Sequence, residues 1–288
     1  MNENNQNETG RKPQQNTPTL AGLNSLLWSI GIVVCIGAVA VGLLIAVFQR
    51  NRGTAIPFTP VIESADSGKS AELYDNNISH GVLYTLEATE DAGDSYLESI
   101  VFLTDSTFIG LRDMQLVGET QVWASATGSL PMSKLNKMNI KFPNDGSEIS
   151  PSSAAMVAKP EILLIGIGMD GLAKIDKDSF ISNYEMLINS IKSASPDTKI
   201  ICCGLTSVIP GYTGGDGLNM SLVSDGNDWV QIVCRDTASY YLDIGEEICE
   251  SVQLLSRFAQ SNGKTLNRSG LQEFLMYVKG HAIPQGGQ

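Results

Sequence analysis

Residues Ile162–Gly171 read ILLIGIGMDG. A continuous apolar run leads into three glycines spaced G-x-G-x-x-G, the pattern that opens a dinucleotide-binding turn: Gly166, Gly168 and Gly171. Such a turn must lead directly into a helix, and the next strand must end in an acidic residue for the ribose. Residues 172–176, LAKID, delay the helix, and the next strand ends in Gly-Leu-Thr at 204–206. We therefore expect no nucleotide, and we interpret the glycines as a strand-end loop that passes close to a site.

Apolar runs and helical patterns alternate on both sides of this stretch. Strands are predicted where apolar residues form short continuous runs, at Ser99–Thr104, Thr120–Ala124, Glu161–Ile167, Lys199–Thr206 and Tyr240–Ile244. Helices are predicted between and after them, at about 150–159, 180–195, 222–236 and 271–279. Continuous apolar strands that alternate with helices predict an α/β fold. We expect a parallel sheet flanked by helices on both faces, a three-layer flavodoxin-like arrangement.

One N-terminal segment predicts a membrane anchor. Leu26–Phe48 is apolar and uncharged, and at ~1.5 Å per residue it is long enough to cross a hydrocarbon layer of ~30 Å. A cleaved signal peptide is the alternative, but a polar tail rich in Asn and Gln precedes the segment, and the apolar run is longer than a usual signal. We predict a single-pass transmembrane helix whose partner is the lipid bilayer. Basic residues on its two sides nearly balance, so they leave its orientation open.

The composition of the sequence predicts the boundaries of its segments and limits its possible partners. Residues 1–25 predict a disordered polar tail, 26–48 the transmembrane helix, 49–95 a linker with room for one short element, and 96–288 the folded domain. The net charge of -12 disfavours nucleic acid, because phosphate binding needs clustered Lys and Arg. No C-x-x-C or His-rich spacing indicates a metal site, and no cofactor is expected. The five cysteines are interpreted as free thiols rather than disulfides.

Ligands of such a sheet bind at the carboxyl ends of its strands, so the residues just past each predicted strand are the candidate site. These residues are Asp105, Ser106, Gly128, Asp170 and Asp243. The alternative for the three carboxylates is a purely structural role, because Asp is common in strand-end turns and at helix N-caps.

Four blocks of sequence along this edge follow a known order. They are IVFLTDSTFIGL (100–111), QVWASATGSL (121–130), IGMDGL (167–172) and NGKTLNRSGLQEF (262–274). Together they resemble the four blocks of the SGNH (GDSL-type) hydrolases. In overall order, including ASPDTKII and YYLD, the chain looks most like the membrane-anchored SGNH proteins of Gram-positive bacteria. The resemblance covers about residues 96–281 and implies the fold predicted above.

The resemblance also implies roles for five residues. Ser106 matches the nucleophile position, and its backbone N–H and Gly128 match two oxyanion donors. Asp170 stands where the family has an oxyanion-binding Asn, and a carboxylate donates no hydrogen bond. Asn262 and Thr265 stand where the family has its catalytic Asp and His, and neither is a general base near neutral pH. The catalytic blocks are therefore expected to be degenerate.

Two histidines remain that could replace the missing base. His281 follows the final helix, about 20 Å from the site at ~1.5 Å per residue. His80 lies in the linker, from which a folded-back segment could reach the site.

The function expected from this resemblance is that of a membrane-anchored SGNH-hydrolase-like domain at the cell envelope. It has lost ester hydrolysis, lies outside the cytoplasm and acts as a binding or scaffolding module, with an envelope carbohydrate or acyl group as its ligand. The default place for that ligand is the pocket around Ser106, Gly128 and Asp170. The alternative is an active serine esterase or deacetylase of acylated envelope carbohydrate, in which Ser106 uses an unidentified base.

Overall fold

The computed structural model describes residues 83–250 and 253–284. Their strands are β1 (Tyr84–Thr85), β2 (Ile100–Thr104), β3 (Val122–Trp123), β4 (Ile140–Lys141), β5 (Glu148–Ile149), β6 (Ile162–Gly166), β7 (Lys199–Cys203), β8 (Tyr240–Leu242), β9 (Cys249–Glu250) and β10 (Gln253–Leu254). Their helices are α1 (Gly93–Glu98), α2 (Gly110–Asp113), α3 (Pro151–Ala158), α4 (Lys177–Ala194), α5 (Met220–Thr237), α6 (Gly245–Ile248) and α7 (Arg268–Lys279). Short 3-10 turns span Met132–Lys137, Leu172–Lys174 and Ser256–Phe258.

Six of these strands form one sheet in the order β1-β8-β7-β6-β2-β3, and every neighbouring pair is parallel. The longest ladder joins β2 to β6, from Ile100 opposite Ile162 to Thr104 opposite Gly166. Because both strands end at the same level, the loops that follow them emerge side by side. The remaining strands form two small antiparallel pairs, β4 with β5 and β9 with β10.

The sheet separates two cores because successive strand residues face opposite sides. In β2, Phe102 packs with the helices α1, α2 and α7, whereas Leu103 packs with α3, α4 and α5. Phe102 and Phe274 of α7 meet edge to face at 6.3 Å, and Phe108 lies 4.5 Å from the same Phe274 ring. These aromatic contacts fix the segment after β2 against α7. The prediction of a parallel sheet flanked by helices on both faces is confirmed.

The helices begin where the sequence places capping residues. Ser150 precedes Pro151, and its Oγ accepts the Ser153 N–H at 3.1 Å. Asp176, Asn219 and Asn267 cap α4, α5 and α7 in the same way. Each side-chain acceptor satisfies one of the N–H groups that a helix N-terminus leaves unpaired. Consequently α3, α4 and α7 begin within a few residues of the predicted positions.

Part of the predicted N-terminal organisation lies outside the described residues. This applies to the tail, to the predicted transmembrane helix Leu26–Phe48 and to His80. Within 83–250 and 253–284, no helix is long and apolar enough to cross a membrane. The predicted linker 49–95 contributes Tyr84–Thr85 to the main sheet as an edge strand beside β8, and α1 crosses the expected boundary at 95.

Candidate functional site

The site is built on two neighbouring strands. Asp105 and Ser106 directly follow β2, and the loop after β6 carries Gly168 and Asp170. The two loops are joined at their base, where the Asp105 N–H donates to the Gly166 carbonyl at 3.3 Å. Parallel pairing of β2 and β6 therefore brings two of the sequence blocks together, as their positions at strand ends predict.

Asp105 holds the two loops together from below. Its carboxylate is fully buried and accepts three backbone N–H groups, from Thr107 to Oδ1 at 2.9 Å and from Gly168 and Asp170 to Oδ2 at 3.0 and 3.1 Å. Burial, followed by the nearby charge of Asp170, raises the pKa of Asp105 from 3.8 to about 6. Asp105 therefore connects the two loops, and burial makes its ionised form unfavourable in this position.

Asp170 lies directly against Ser106. The Ser106 hydroxyl donates to Asp170 Oδ1 at 2.6 Å, and the Ser106 N–H donates to Oδ2 at 3.3 Å. Two further donors reach Oδ2, the Ser129 hydroxyl at 2.6 Å and the Leu130 N–H at 3.1 Å. The carboxylate is therefore surrounded by four donors, among them the two groups of Ser106 that ester cleavage would use.

Gly128 adopts a left-handed backbone conformation with φ of 77°. Its N–H donates to the Ser125 carbonyl at 3.0 Å, which closes the turn that leads to Ser129. A Cβ at this position would lie 3.2 Å from the Ile109 side chain, so glycine lets the turn pack against the segment after Ser106. Both backbone donors expected for an oxyanion, those of Ser106 and Gly128, are already hydrogen-bonded within the chain.

Asn262 and Thr265 bond to each other. The Asn262 Nδ2 donates to Thr265 Oγ1 at 2.8 Å, and the Thr265 N–H donates to Asn262 Oδ1 at 3.0 Å. Thr265 is buried. The pair closes the turn that precedes α7 and offers no titrating group, because an amide and a hydroxyl do not ionise near neutral pH.

The histidine within the described residues lies at the far end of α7. His281 stacks on the Tyr277 ring at 3.8 Å, and its Nδ1 lies 2.9 Å from the Tyr277 carbonyl. The 12 residues of α7 separate it from the Asn262–Thr265 turn. At ~1.5 Å per residue, His281 is ~18 Å along the helix from the turn where the family has its catalytic His.

Two parts of this edge were missed by sequence reasoning. Ser129 is one residue past Gly128 in the second block, and that adjacency was the available signal. Lys264 pairs with Asp216 at 2.8 Å, and the Tyr212 hydroxyl donates to the same carboxylate at 2.8 Å. Burial acts to lower the pKa of Lys264, but the bond to Asp216, with a contribution from the charge of Asp170, leaves that pKa raised. Lys264 is therefore a charged ion-pair partner rather than a base.

Neither a disulfide nor a metal cluster is present in the described part of the chain. Cys202, Cys203, Cys234 and Cys249 are free thiols, and the first three are buried. Among these residues no group of three or more His, Cys, Asp or Glu side chains is arranged to hold a metal ion.

No family model matches the chain, and no curated protein matches it in sequence. Solved structures that it resembles include a GDSL-like lipase from Bacteroides thetaiotaomicron, with 12% identity over 62% of this chain and 86% of that chain and a TM-score of 0.39. A carbohydrate esterase of family 3 from Talaromyces cellulolyticus is similar at 10% identity over 68% and 94%, with a TM-score of 0.39. The periplasmic domain of a lipopolysaccharide acetyltransferase from Salmonella ser. Paratyphi A is similar at 16% identity over 62% and 80%, with a TM-score of 0.39. Likeness this distant assigns no activity to the chain.

Proposed function

We propose that this chain is an SGNH-hydrolase-like module, anchored at the cell envelope, that does not hydrolyse esters and acts by binding or scaffolding. One observation carries the proposal: the Asp170 carboxylate accepts hydrogen bonds from both the hydroxyl and the backbone N–H of Ser106. The membrane part of the proposal rests on the sequence of Leu26–Phe48, and the envelope location on the resemblance to anchored SGNH proteins.

The contact between Ser106 and Asp170 opposes the stabilisation of an oxyanion and leaves the serine with only a weak base. Ester cleavage needs the serine hydroxyl to give its proton to a base while the oxygen attacks. It also needs hydrogen-bond donors aimed at the oxygen of the ester that becomes negative. Here the hydroxyl donates to a carboxylate, which is ordinarily a much weaker base than an imidazole, and the same carboxylate accepts the Ser106 N–H. Its negative charge would repel the developing oxyanion, where loss of a single donor already costs about 10²–10³ in rate.

The remaining catalytic positions support the same proposal. The turn that contains Asn262 and Thr265 bonds to itself and supplies no imidazole. Lys264, between them in sequence, is paired with Asp216. General-base catalysis contributes typically 10²–10⁴ in rate, so the absence of an imidazole and the negative charge of Asp170 together leave Ser106 with little activation.

Labelling with a fluorophosphonate probe tests this proposal, because the probe reacts with serines that are activated for ester cleavage. The experiment uses the full-length chain in detergent micelles, intact-mass detection and an active serine esterase in the same detergent as positive control. We expect no adduct on the folded chain. A single adduct that disappears in Ser106→Ala would show that Ser106 is activated and would overturn the proposal in favour of an esterase.

Restoring the family residues gives a second readout. Asn262→Asp with Thr265→His leaves Asp170 in contact with Ser106, so we expect it to remain unlabelled. Adding Asp170→Asn removes the carboxylate and supplies an amide donor, so the triple variant should gain the adduct. Labelling of the double variant equal to that of the triple variant would show that Asp170 does not block the site.

A further inference from the structure

A cavity of about 530 Å³ lies at the carboxyl ends of β7 and β8, between the sheet and the helices α5 and α6. This volume is in the range of sites for small organic molecules. In the sheet, β6 separates β7 from β2, which carries Ser106, so the cavity is next to that site but distinct from it. The residues that line it are Leu205, Ser207, Met220, Val223, Ser224, Asn227, Asp228, Gln231, Tyr241, Asp243, Gly245 and Cys249.

The wall of this cavity contains a buried hydroxyl without a partner. Ser207 is 5% exposed, and among the described residues its Oγ has no hydrogen-bond partner. Buried polar groups in proteins are nearly always paired, and leaving one unpaired costs about 1–3 kcal/mol. Thr206 Oγ1 is likewise buried and unpaired, but Thr206 does not line the cavity. Ser207 thus brings an unpaired hydroxyl to the wall of the cavity, where a polar group of a ligand could pair with it.

The charges around the cavity are all negative. Asp228 and Asp243 are the charged residues among those that line it, and the lining contains no Lys or Arg. Asp243 is held in place by the Gly245 N–H, which donates to its Oδ1 at 2.9 Å. Burial raises the pKa of Tyr241, and the charge of Asp243 adds to that rise. An anionic ligand would be repelled here, whereas a cation would gain from both carboxylates.

Part of the wall is apolar. Leu205, Met220 and Val223 contribute this surface. Asn227 accepts the Leu205 N–H at 2.6 Å, and its own amide reaches the Leu205 carbonyl at 3.4 Å. Asn227 therefore fixes the backbone at the end of β7 against α5 and keeps the shape of the wall.

We propose that this cavity binds a small organic cation, with an ammonium group beside Asp228 and Asp243 and an apolar body against Leu205, Met220 and Val223. Ser207 supplies a hydrogen bond to the ligand. This inference goes beyond the proposed function, since it names a ligand class and places the ligand away from Ser106. The cavity proposal does not depend on whether Ser106 reacts with a fluorophosphonate. Either proposal can therefore be refuted while the other stands.

Benzylamine and benzyl alcohol are matched probes, because they share shape and differ in charge at neutral pH. Isothermal titration calorimetry of the full-length chain, with detergent matched in cell and syringe, measures both. We expect saturable binding of benzylamine and at least tenfold weaker binding of benzyl alcohol. Asp243→Asn should weaken the binding of benzylamine at least tenfold. If that variant does not fold, Asp228→Asn, at an exposed position of α5, replaces it in the same test. No saturable benzylamine binding, or equal binding of both probes, would overturn the proposal.

Ser207 and Thr206 give a matched pair of variants. Ser207→Ala and Thr206→Val each remove an unpaired buried hydroxyl, so both should raise the melting temperature of the ligand-free chain. Only Ser207→Ala should weaken benzylamine binding, by several-fold, because only Ser207 lines the cavity. Equal benzylamine affinity in both variants would remove Ser207 from the proposed site.

Discussion

Replacing Asp170 by Asn should change how the stability of the chain depends on pH. The amide fits the same place if its Nδ2 takes the position of Oδ1 and donates to Ser106 Oγ, whose hydroxyl can also accept. Its carbonyl oxygen then keeps the donors at the Oδ2 position, from Ser129 and Leu130. The substitution thus preserves the local bonds and removes one negative charge beside Asp105.

The size of this change in pH dependence follows from the pKa of Asp105. Its pKa lies at about 6 in the folded chain and near 3.8 in the unfolded chain, a difference that corresponds to roughly 3 kcal/mol. An acid with a raised folded pKa takes up protons on folding, so its contribution to stability is fully present below pH 3.8 and is lost as the pH rises to about 6. Burial is the larger cause and the charge of Asp170 the second. We therefore expect Asp170→Asn to recover about 1 kcal/mol of the unfolding free energy that the wild type loses as the pH rises.

Urea unfolding of the full-length chain at a series of pH values from about 4 to about 7.5 measures this difference. The free energy of unfolding of Asp170→Asn, minus that of the wild type, should rise with pH across this range and then level off. Asp197→Asn is the control, because Asp197 is exposed and distant in sequence from the site. A difference that does not vary with pH, or one that the control reproduces, would refute the coupling of Asp105 to Asp170.

Three further variants test the two site loops and the contact between α4 and α5 by urea unfolding. Asp105→Asn places an amide against an N–H group that the carboxylate now accepts but also removes a buried charge, so its cost should be about 2–3 kcal/mol larger at about pH 4 than at about pH 7.5; equal costs would contradict this. Gly168→Ala should cost about 2–4 kcal/mol, since φ is 138° and a Cβ would lie 2.6 Å from Leu205 Cδ2; an unchanged midpoint would exclude this crowding. Lys192→Met should cost about 1 kcal/mol, because the Lys192 ammonium donates to the Thr237 carbonyl near the end of α5 and the apolar stem is retained.

The sheet could be predicted because its central strands are continuous apolar runs. β2, β6 and β7 are buried on both faces, and burial on both faces is what such runs indicate. The edge strand β1 and the small β4–β5 pair have two residues per strand, which is too short for a period to be visible. For that reason β4 and β5 were not predicted, and the linker segment that contains β1 was predicted only as one strand or helix.

The site was predictable as a set of residues but not as a set of bonds. Strand ends placed Ser106 and Asp170 on the same edge, and the structure brings them to 2.6 Å. Which donor each carboxylate oxygen meets depends on the turns at Gly128 and Gly168, whose conformations a single sequence does not specify. The cavity beside β7 escaped prediction because its walls combine α5, β8 and α6, which sequence patterns describe only one at a time.

The bonds around Asp170 have a consequence for what can bind beside Ser106. A carboxylate that accepts from a serine hydroxyl and its backbone N–H resembles an acid bound at that serine. In this chain the acid is a side chain, so it competes intramolecularly, at an effective concentration of at least the order of millimolar. Dilute acetate or similar acids cannot displace it. The Asp170 side chain therefore occupies the two Ser106 donors that an external acid would need.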